Sequence, residues 1–231
     1  MTENGRHVAD ALEFDSKEPA TMSPSGYIDH LQEHGEIISN DLRYIRAVVP
    51  AGARLLDIGA GRGSFVLQAI EQGFQAYGLE VQPEAQQTWC RTGVPGVVAD
   101  GFRTPFRESC FDVVRLKEVI EHVEDSLALV REARRLLKSG GYLIAHVPTP
   151  WSQFYPVANF WDDYTHVRPY SRNGLRRLMT DGGLELVSIR GYMSGRNAIE
   201  QLAGKVISLV LPHIYLVVAR STLLGAPSAG R

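Results

Sequence analysis

The chain has 231 residues, 44% hydrophobic and 22% charged, with 24 Lys and Arg against 26 Asp and Glu for a formal net charge of -2. That composition supplies a sizeable core and excludes a disordered or fibrous chain, while the near-neutral balance excludes a protein that coats nucleic-acid phosphates with basic side chains, so no nucleic acid is expected as a partner. The only cysteines, Cys90 and Cys110, are too few for a disulfide framework or a Cys-rich zinc site and predict a reducing compartment.

Residues 1–26 are polar, hold Pro19 and Pro24 and show no period, which predicts a flexible arm. Their opening, MTENGRHVADALEFD, lacks a basic stretch followed by an apolar run, so no signal peptide is read there and a cytoplasmic location is expected. From Tyr27 to Val49, Ile28, Leu31, Ile37, Ile38, Leu42, Ile45 and Val49 recur at three- and four-residue steps, predicting a helical cap that stops at Pro50. Short β-rich runs then alternate with helical patterns: ARLLDIG, a helix over 64–72, QAYGLE, a helix over 84–91, GVVAD, FDVVRLK, a helix over 126–137, and GYLIAHVP. Such alternation implies βαβ crossovers and a parallel sheet covered on both faces, an α/β fold. The stretch 149–171 is aromatic and aperiodic, the character of a long functional loop. After it come a helix capped by Ser171 and ended by Gly182-Gly183, the strand LELVSIRGY, an apolar helix near Ala198 to Leu209 and the strand HIYLVVARS. The apolar stretch 206–218 is broken by Pro212 and His213 and is too short to span a bilayer, so no transmembrane segment is expected. Residues 27–222 read as one domain and 223–231 as a flexible tail, and a homodimer is the expected assembly because two-fold oligomers predominate.

The first chemical motif is LLDIGAGRGS, a buried strand entering a glycine turn and then a helix. Gly59, Gly61 and Gly63 let the backbone turn tightly and approach a ligand at the carboxyl end of the first strand. A dinucleotide loop has G-x-G-x-x-G, whereas the spacing here is G-x-G-x-G and an acid, Asp57, precedes it. An acid there repels phosphate and suits a cationic or amino-bearing ligand. Glu80, ending the second strand, can accept from both hydroxyls of a ribose, and Asp100-Gly101-Phe102 offers a carboxylate for an exocyclic amine beside a ring for stacking.

These residues resemble the class I S-adenosylmethionine-dependent methyltransferases: LLDIGAGRG is similar to their first motif, Leu79-Glu80 to their ribose-binding acid and VADG to their adenine-binding turn. FDVVRLKEVIEHV resembles the segment bordering the methyl-transfer site, which places Lys117 with the cofactor residues, and LLKSGGYLIAHVP resembles their fifth strand. The resemblance implies S-adenosylmethionine as cofactor and a Rossmann-like, doubly wound, mostly parallel seven-stranded sheet whose last strand is antiparallel.

The second motif is Glu118-Val119-Ile120-Glu121-His122. If Glu118 begins a helical turn, both carboxylates and the imidazole share one face. Packing near the cofactor is one reading of that crowding; a divalent cation such as Mg²⁺ is the other. His166, brought in by the loop sequence THVRPYS, adds a fourth donor, and E-x-x-E-H with a distant His resembles the metal site of small-RNA 2′-O-methyltransferases, its first part also ubiquinone-pathway O-methyltransferases. In those families the metal grips two neighbouring hydroxyls, a feature that ribose diols, catechols and sugars share. Glu118, Glu121, His122 and His166 are therefore expected to bind Mg²⁺, with His122 or His166 as general base if no metal binds. His146, inside a strand, reads better as a satisfied core histidine. Trp151, Phe154, Tyr155, Phe160, Trp161, Tyr164 and Tyr170 interleave with Asn159, Asp162, Asp163 and Arg168, a pattern suited to stacking on sugar C–H faces or to a lid. FWDDYTHVRPYS also resembles methyltransferases of polysaccharide and lipopolysaccharide assembly, so a saccharide acceptor, small or oligomeric, is expected, with a catechol as alternative and RNA disfavoured by the charge.

Overall fold

A computed structural model of the chain describes residues 38–154, 159–192 and 211–222. The arm 1–26, the cap as far as residue 37, the apolar helix expected near Ala198 and the tail 223–231 lie outside the described residues. The strands are β1 (Arg54–Ile58), β2 (Gln75–Glu80), β3 (Gly96–Val98), β4 (Phe111–Lys117), β5 (Leu137–Pro148), β6 (Leu184–Tyr192) and β7 (Ile214–Ser221). The helices are α1 (38–48), α2 (Ser64–Glu71), α3 (Glu84–Thr92), α4 (Ser126–Leu136) and α5 (Arg172–Asp181).

The strands form one seven-stranded sheet in the order β3-β2-β1-β4-β5-β7-β6. β1 pairs parallel with β2, and β2 with β3, whereas β7 runs antiparallel to both β5 and β6, the reversed last strand that the sequence implied. The order reverses between β1 and β4, the switch point at which open α/β sheets bind ligands beyond their carboxyl ends. Packing divides the chain into two compact units, one ending at Val114 and the other beginning at Arg115.

In the first unit, β1 buries Leu55, Leu56, Asp57 and Ile58 in succession, as a strand covered on both faces must. Phe111 closes that core edge-on against Tyr77 and Phe106, with ring centroids 6.1 and 5.1 Å away. α1 stops at residue 48 because the residue before Pro50 is pushed out of helical geometry.

In the second unit, β5 pairs from Tyr142↔Arg220 to Pro148↔Ile214, and Ser171 caps α5 by accepting from the Gly174 N–H at 3.1 Å. β5 starts at Leu137, earlier than the sequence suggests: Gly140 takes a left-handed φ of 77° and passes the strand through what reads as a turn. The described residues of the stretch 149–171 include the short 3₁₀ turns Pro150–Phe154 and Phe160–Asp162. Hydrophobic period cannot reveal a three-residue turn; here Asn159 makes it by accepting from the Trp161 N–H while Asp162 accepts from the Asn159 N–H, both at 2.9 Å. Among the described residues no helix is long and apolar enough to cross a membrane.

Candidate functional site

The glycine turn lies in the first unit. Gly59, Gly61 and Gly63 all take left-handed φ, at 76, 51 and 82°. The turn is fastened to β2: Gly59 and Ala60 N–H donate to the Leu79 carbonyl, and Gly61 N–H donates to Glu80 Oε2 at 2.9 Å. Glu80 Oε1 also accepts from the Val81 and Gln82 N–H groups at 2.8 and 3.3 Å, so three backbone donors orient one carboxylate and leave Oε2 a lone pair for an outside hydroxyl. A Cβ on Gly61 would meet no protein atom within 4 Å, which leaves open space above the turn for a ligand. One on Gly63 would stand 2.6 and 2.7 Å from the two Val94 methyls, so that glycine serves packing. Asp57 is buried at the end of β1, and the Ser64 hydroxyl at the start of α2 is buried with no hydrogen-bond partner. Asp100 Oδ1 accepts from the Phe102 N–H at 2.9 Å, closing an Asx turn around Gly101.

A residue that sequence reasoning missed braces this turn. The Trp89 indole N–H donates to the Gly61 carbonyl at 2.9 Å. Its ring occupies a slot made by Gly78 and Gly96, paired across β2 and β3: a Cβ would fall 3.2 Å from the ring at Gly78 and 2.5 Å from it at Gly96. Trp89→Phe keeps the ring in that slot and leaves the Gly61 carbonyl unpaired, so cofactor affinity by calorimetry should weaken about 3- to 10-fold, the worth of about one hydrogen bond. Unchanged affinity would remove Trp89 from the site.

The second group of candidates lies in the second unit. Lys117 ends β4 and pairs with Glu118, Nζ to Oε2 at 3.1 Å. Glu118 does not begin a helical turn: its φ is 54° and its N–H donates to the His146 carbonyl at 3.0 Å, a strand-like bond, so the turn forms only at Ile120–His122. Glu121, His122 and His166 each offer a donor atom, and those atoms lie within 4.8 Å of one another. Glu118 stands outside that group and lines the same cavity. His146 is buried with Nδ1 2.7 Å from the Tyr192 hydroxyl, a satisfied core histidine.

The hydrogen bonds fix both imidazole tautomers. His166 Nδ1 lies 2.5 Å from the Phe160 carbonyl, which only accepts, so the neutral ring carries its proton on Nδ1 and its lone pair on Nε2. His122 Nδ1 lies 2.8 Å from Thr165 Oγ1, and that hydroxyl donates its one hydrogen to Asp163 Oδ1 at 2.6 Å. His122 must therefore donate from Nδ1 as well, freeing its Nε2. The Thr165 hydroxyl and N–H hold the Asp163 carboxyl below the usual carboxylate range, while burial, and then His166, hold His122 below the usual imidazole range. His122 is thereby favoured in its neutral form, the form that binds a cation.

Glu121 is 0% exposed, and neither carboxylate oxygen has a hydrogen-bond partner. Burial is the main reason that its pKa is pushed up to about 8, with the Glu118 charge adding to it. A buried carboxylate without partners is costly unless it carries a proton or meets a cation. The loop is fastened around it: Val167 N–H donates to the Glu121 carbonyl at 2.8 Å, Arg168 Nη2 to the Glu124 carbonyl at 2.6 Å, and the Tyr170 and Ser126 hydroxyls bond to each other. A cavity of about 560 Å³ opens above, lined by these donors and by Asn159, Phe160, Asp162, Asp163 and Tyr164. Tyr164 is 95% exposed, Phe154 73% and Trp161 55%, so these rings of the loop are open to solvent.

An uncharacterized protein of Mycobacterium tuberculosis is 30% identical over 161 residues, 67% of this chain and 55% of that protein. A ubiquinone biosynthesis O-methyltransferase of Xanthomonas oryzae is 34% identical over 100 residues, 40% of this chain and 42% of that one. The chain thus spans about half the length of the curated relatives it matches. A SAM dependent methyltransferase from Archaeoglobus fulgidus shares the fold with a TM-score of 0.66 at 20% identity, covering 86% of this chain and 100% of that one. Residues 29–189 match a family described as a methyltransferase domain, and the chain belongs to that family, with the class I S-adenosylmethionine-dependent fold.

Proposed function

We propose that the chain transfers a methyl group from S-adenosylmethionine to a hydroxyl of a saccharide whose neighbouring hydroxyls face a divalent cation. The observation that carries this reading is the donor set Glu121, His122 and His166 at one cavity, beside a loop with exposed aromatic faces. The glycine turn fits the cofactor: open space over Gly61, the oriented Glu80 carboxylate and the unpartnered Ser64 hydroxyl match a ligand rich in donors and acceptors, and Asp57 tolerates its amino group. When bound, S-adenosylmethionine supplies a methyl group on a sulfonium, and Lys117 is assigned with Asp57, Gly59, Gly61, Gly63, Glu80, Asp100, Gly101 and Phe102 to holding it.

The orphaned Glu121 oxygens and the two imidazole lone pairs likewise fit a metal, and Glu118, which stands outside that group but lines the same cavity, is proposed as a further ligand. Such an ion supplies positive charge that lowers the pKa of an acceptor hydroxyl. A set with two imidazole nitrogens suits Mn²⁺, Fe²⁺ or Zn²⁺ at least as well as the Mg²⁺ expected from the sequence, because imidazole is a softer donor than the oxygens Mg²⁺ prefers. The chain's own part is to aim both imidazoles at the cavity, to release the Glu121 proton to solvent as a cation takes its place, and to hold sugar C–H faces against Tyr164 and Trp161 while Asn159 and Asp162 meet hydroxyls. On this reading the chain would resemble an actinobacterial methylmannose polysaccharide 1-O-methyltransferase, in which a sugar acceptor would meet a metal-gripped diol. A catechol acceptor is the second reading, favoured by the likeness to the Xanthomonas oryzae protein.

Transfer from labelled S-adenosylmethionine to a panel of sugars, catechols and short RNAs, first in EDTA and then with Mg²⁺ or Mn²⁺ restored, separates these readings. Labelled sugar is expected, with at least about a 10-fold loss in EDTA that added metal reverses. Full activity in EDTA would end the metal role, and label on catechol alone would end the saccharide reading.

A further inference from the structure

The geometry points to Thr165 and Asp163 as positioning residues that hold His122 in the tautomer able to bind a cation; this rests on the metal reading above. The two histidines are oriented by different means. His166 leans on a backbone carbonyl, which cannot change its role, and stacks on Phe160 with centroids 4.4 Å apart. His122 leans on a hydroxyl, which can accept or donate. What decides between those roles is Asp163: its Oδ1 takes both the Thr165 N–H, at 2.8 Å, and the Thr165 hydroxyl hydrogen, at 2.6 Å. With its hydrogen committed, the hydroxyl oxygen can only accept from His122 Nδ1, and the lone pair is left on Nε2.

Two substitutions should therefore fail for opposite reasons. Thr165→Val keeps the branched shape but removes the acceptor, so the proton of His122 is no longer held on Nδ1. Asp163→Ala frees the Thr165 hydrogen to point at Nδ1, which drives the proton onto Nε2. Thr165→Ser retains the oxygen and is the rescue.

The test is calorimetric titration of the metal-free proteins with MnCl₂, together with nitrogen NMR of the histidine rings, which reads tautomers without any metal or turnover. The wild type is expected to show the Nδ1-protonated tautomer for His122. Thr165→Val and Asp163→Ala should lose that signature and bind Mn²⁺ about 10- to 100-fold more weakly, the usual effect of removing a partner of a ligating histidine. Thr165→Ser should stay within about 3-fold of wild type, since it keeps that partner. Wild-type affinity and signature in Thr165→Val would overturn the positioning role while leaving the metal reading intact. No Mn²⁺ binding by a wild type that shows the expected tautomer would instead overturn the metal reading and, with it, this inference.

Discussion

Glu121→Gln is expected to lower methyl transfer by at least about 100-fold while raising the stability of the metal-free protein at alkaline pH. Both effects follow from a carboxylate that is fully buried with no hydrogen-bond partner on either oxygen. In the proposed metal site it would supply the one buried negative charge among Glu121, His122 and His166, which the glutamine amide lacks. Without a cation, its pKa is raised by burial from 4.5 to about 8, so the folded state holds a proton that the unfolded chain gives up. The stability this contributes is fully present below pH 4.5 and is lost as the pH rises through about 8. At about 1.36 kcal/mol per pH unit, the loss approaches about 5 kcal/mol for a fully formed shift, an upper bound because local water entry relieves it. Glutamine stays neutral throughout and removes that slope; a bound cation flattens it in the wild type by taking the place of the proton. Urea unfolding in EDTA at pH 5 and pH 8.5 reads the difference. Equal slopes for the two proteins would show that Glu121 is solvated or paired in solution.

Gly63→Ala is expected to cost about 2–5 kcal/mol, the sum of a left-handed backbone, worth about 1–2, and an overpacked contact, worth about 1–3. The added methyl would stand 2.6 Å from one Val94 methyl with φ at 82°. Val94→Ala in the same chain should return the contact part and leave the backbone part, which a double-mutant cycle on urea midpoints separates. Gly61→Ala makes the contrast: with nothing within 4 Å of its added Cβ, it should lose only about 1 kcal/mol of stability and far more of its cofactor affinity. If both variants lose stability equally while both keep cofactor affinity, the open space over Gly61 does not hold the cofactor.

Much of the fold was legible because buried strands and amphipathic helices write their periods into the sequence. β1, β2 and β4 sit where the hydrophobic runs put them, and Ser171 caps α5 as its position before a helical pattern suggests. The glycine turn was legible for a related reason, since three glycines between a strand and a helix have few other uses. What stayed hidden depends on neighbours distant in the chain. Trp89 reads as one more apolar residue of α3 until Gly78 and Gly96 are seen to make room for it. Glu118 breaks the E-x-x-E-H spacing because a strand bond to His146 holds it in left-handed backbone, which no local period announces. Asp163 and Thr165 carried a faint local trace, the Asx turn that an Asp two residues before a Thr favours, but their bond to His122 crosses 43 residues.

The bond from the Val167 N–H to the Glu121 carbonyl ties the middle of the loop to the backbone of one member of the donor set, and His166 is the residue before it. The loop therefore cannot swing outward without carrying His166 away from Glu121. Under the proposed function, admission of a bulky acceptor past the loop and dismantling of the donor set would be a single event, so the lifetime of the assembled centre and the dwell time of whatever it enclosed would run on one clock.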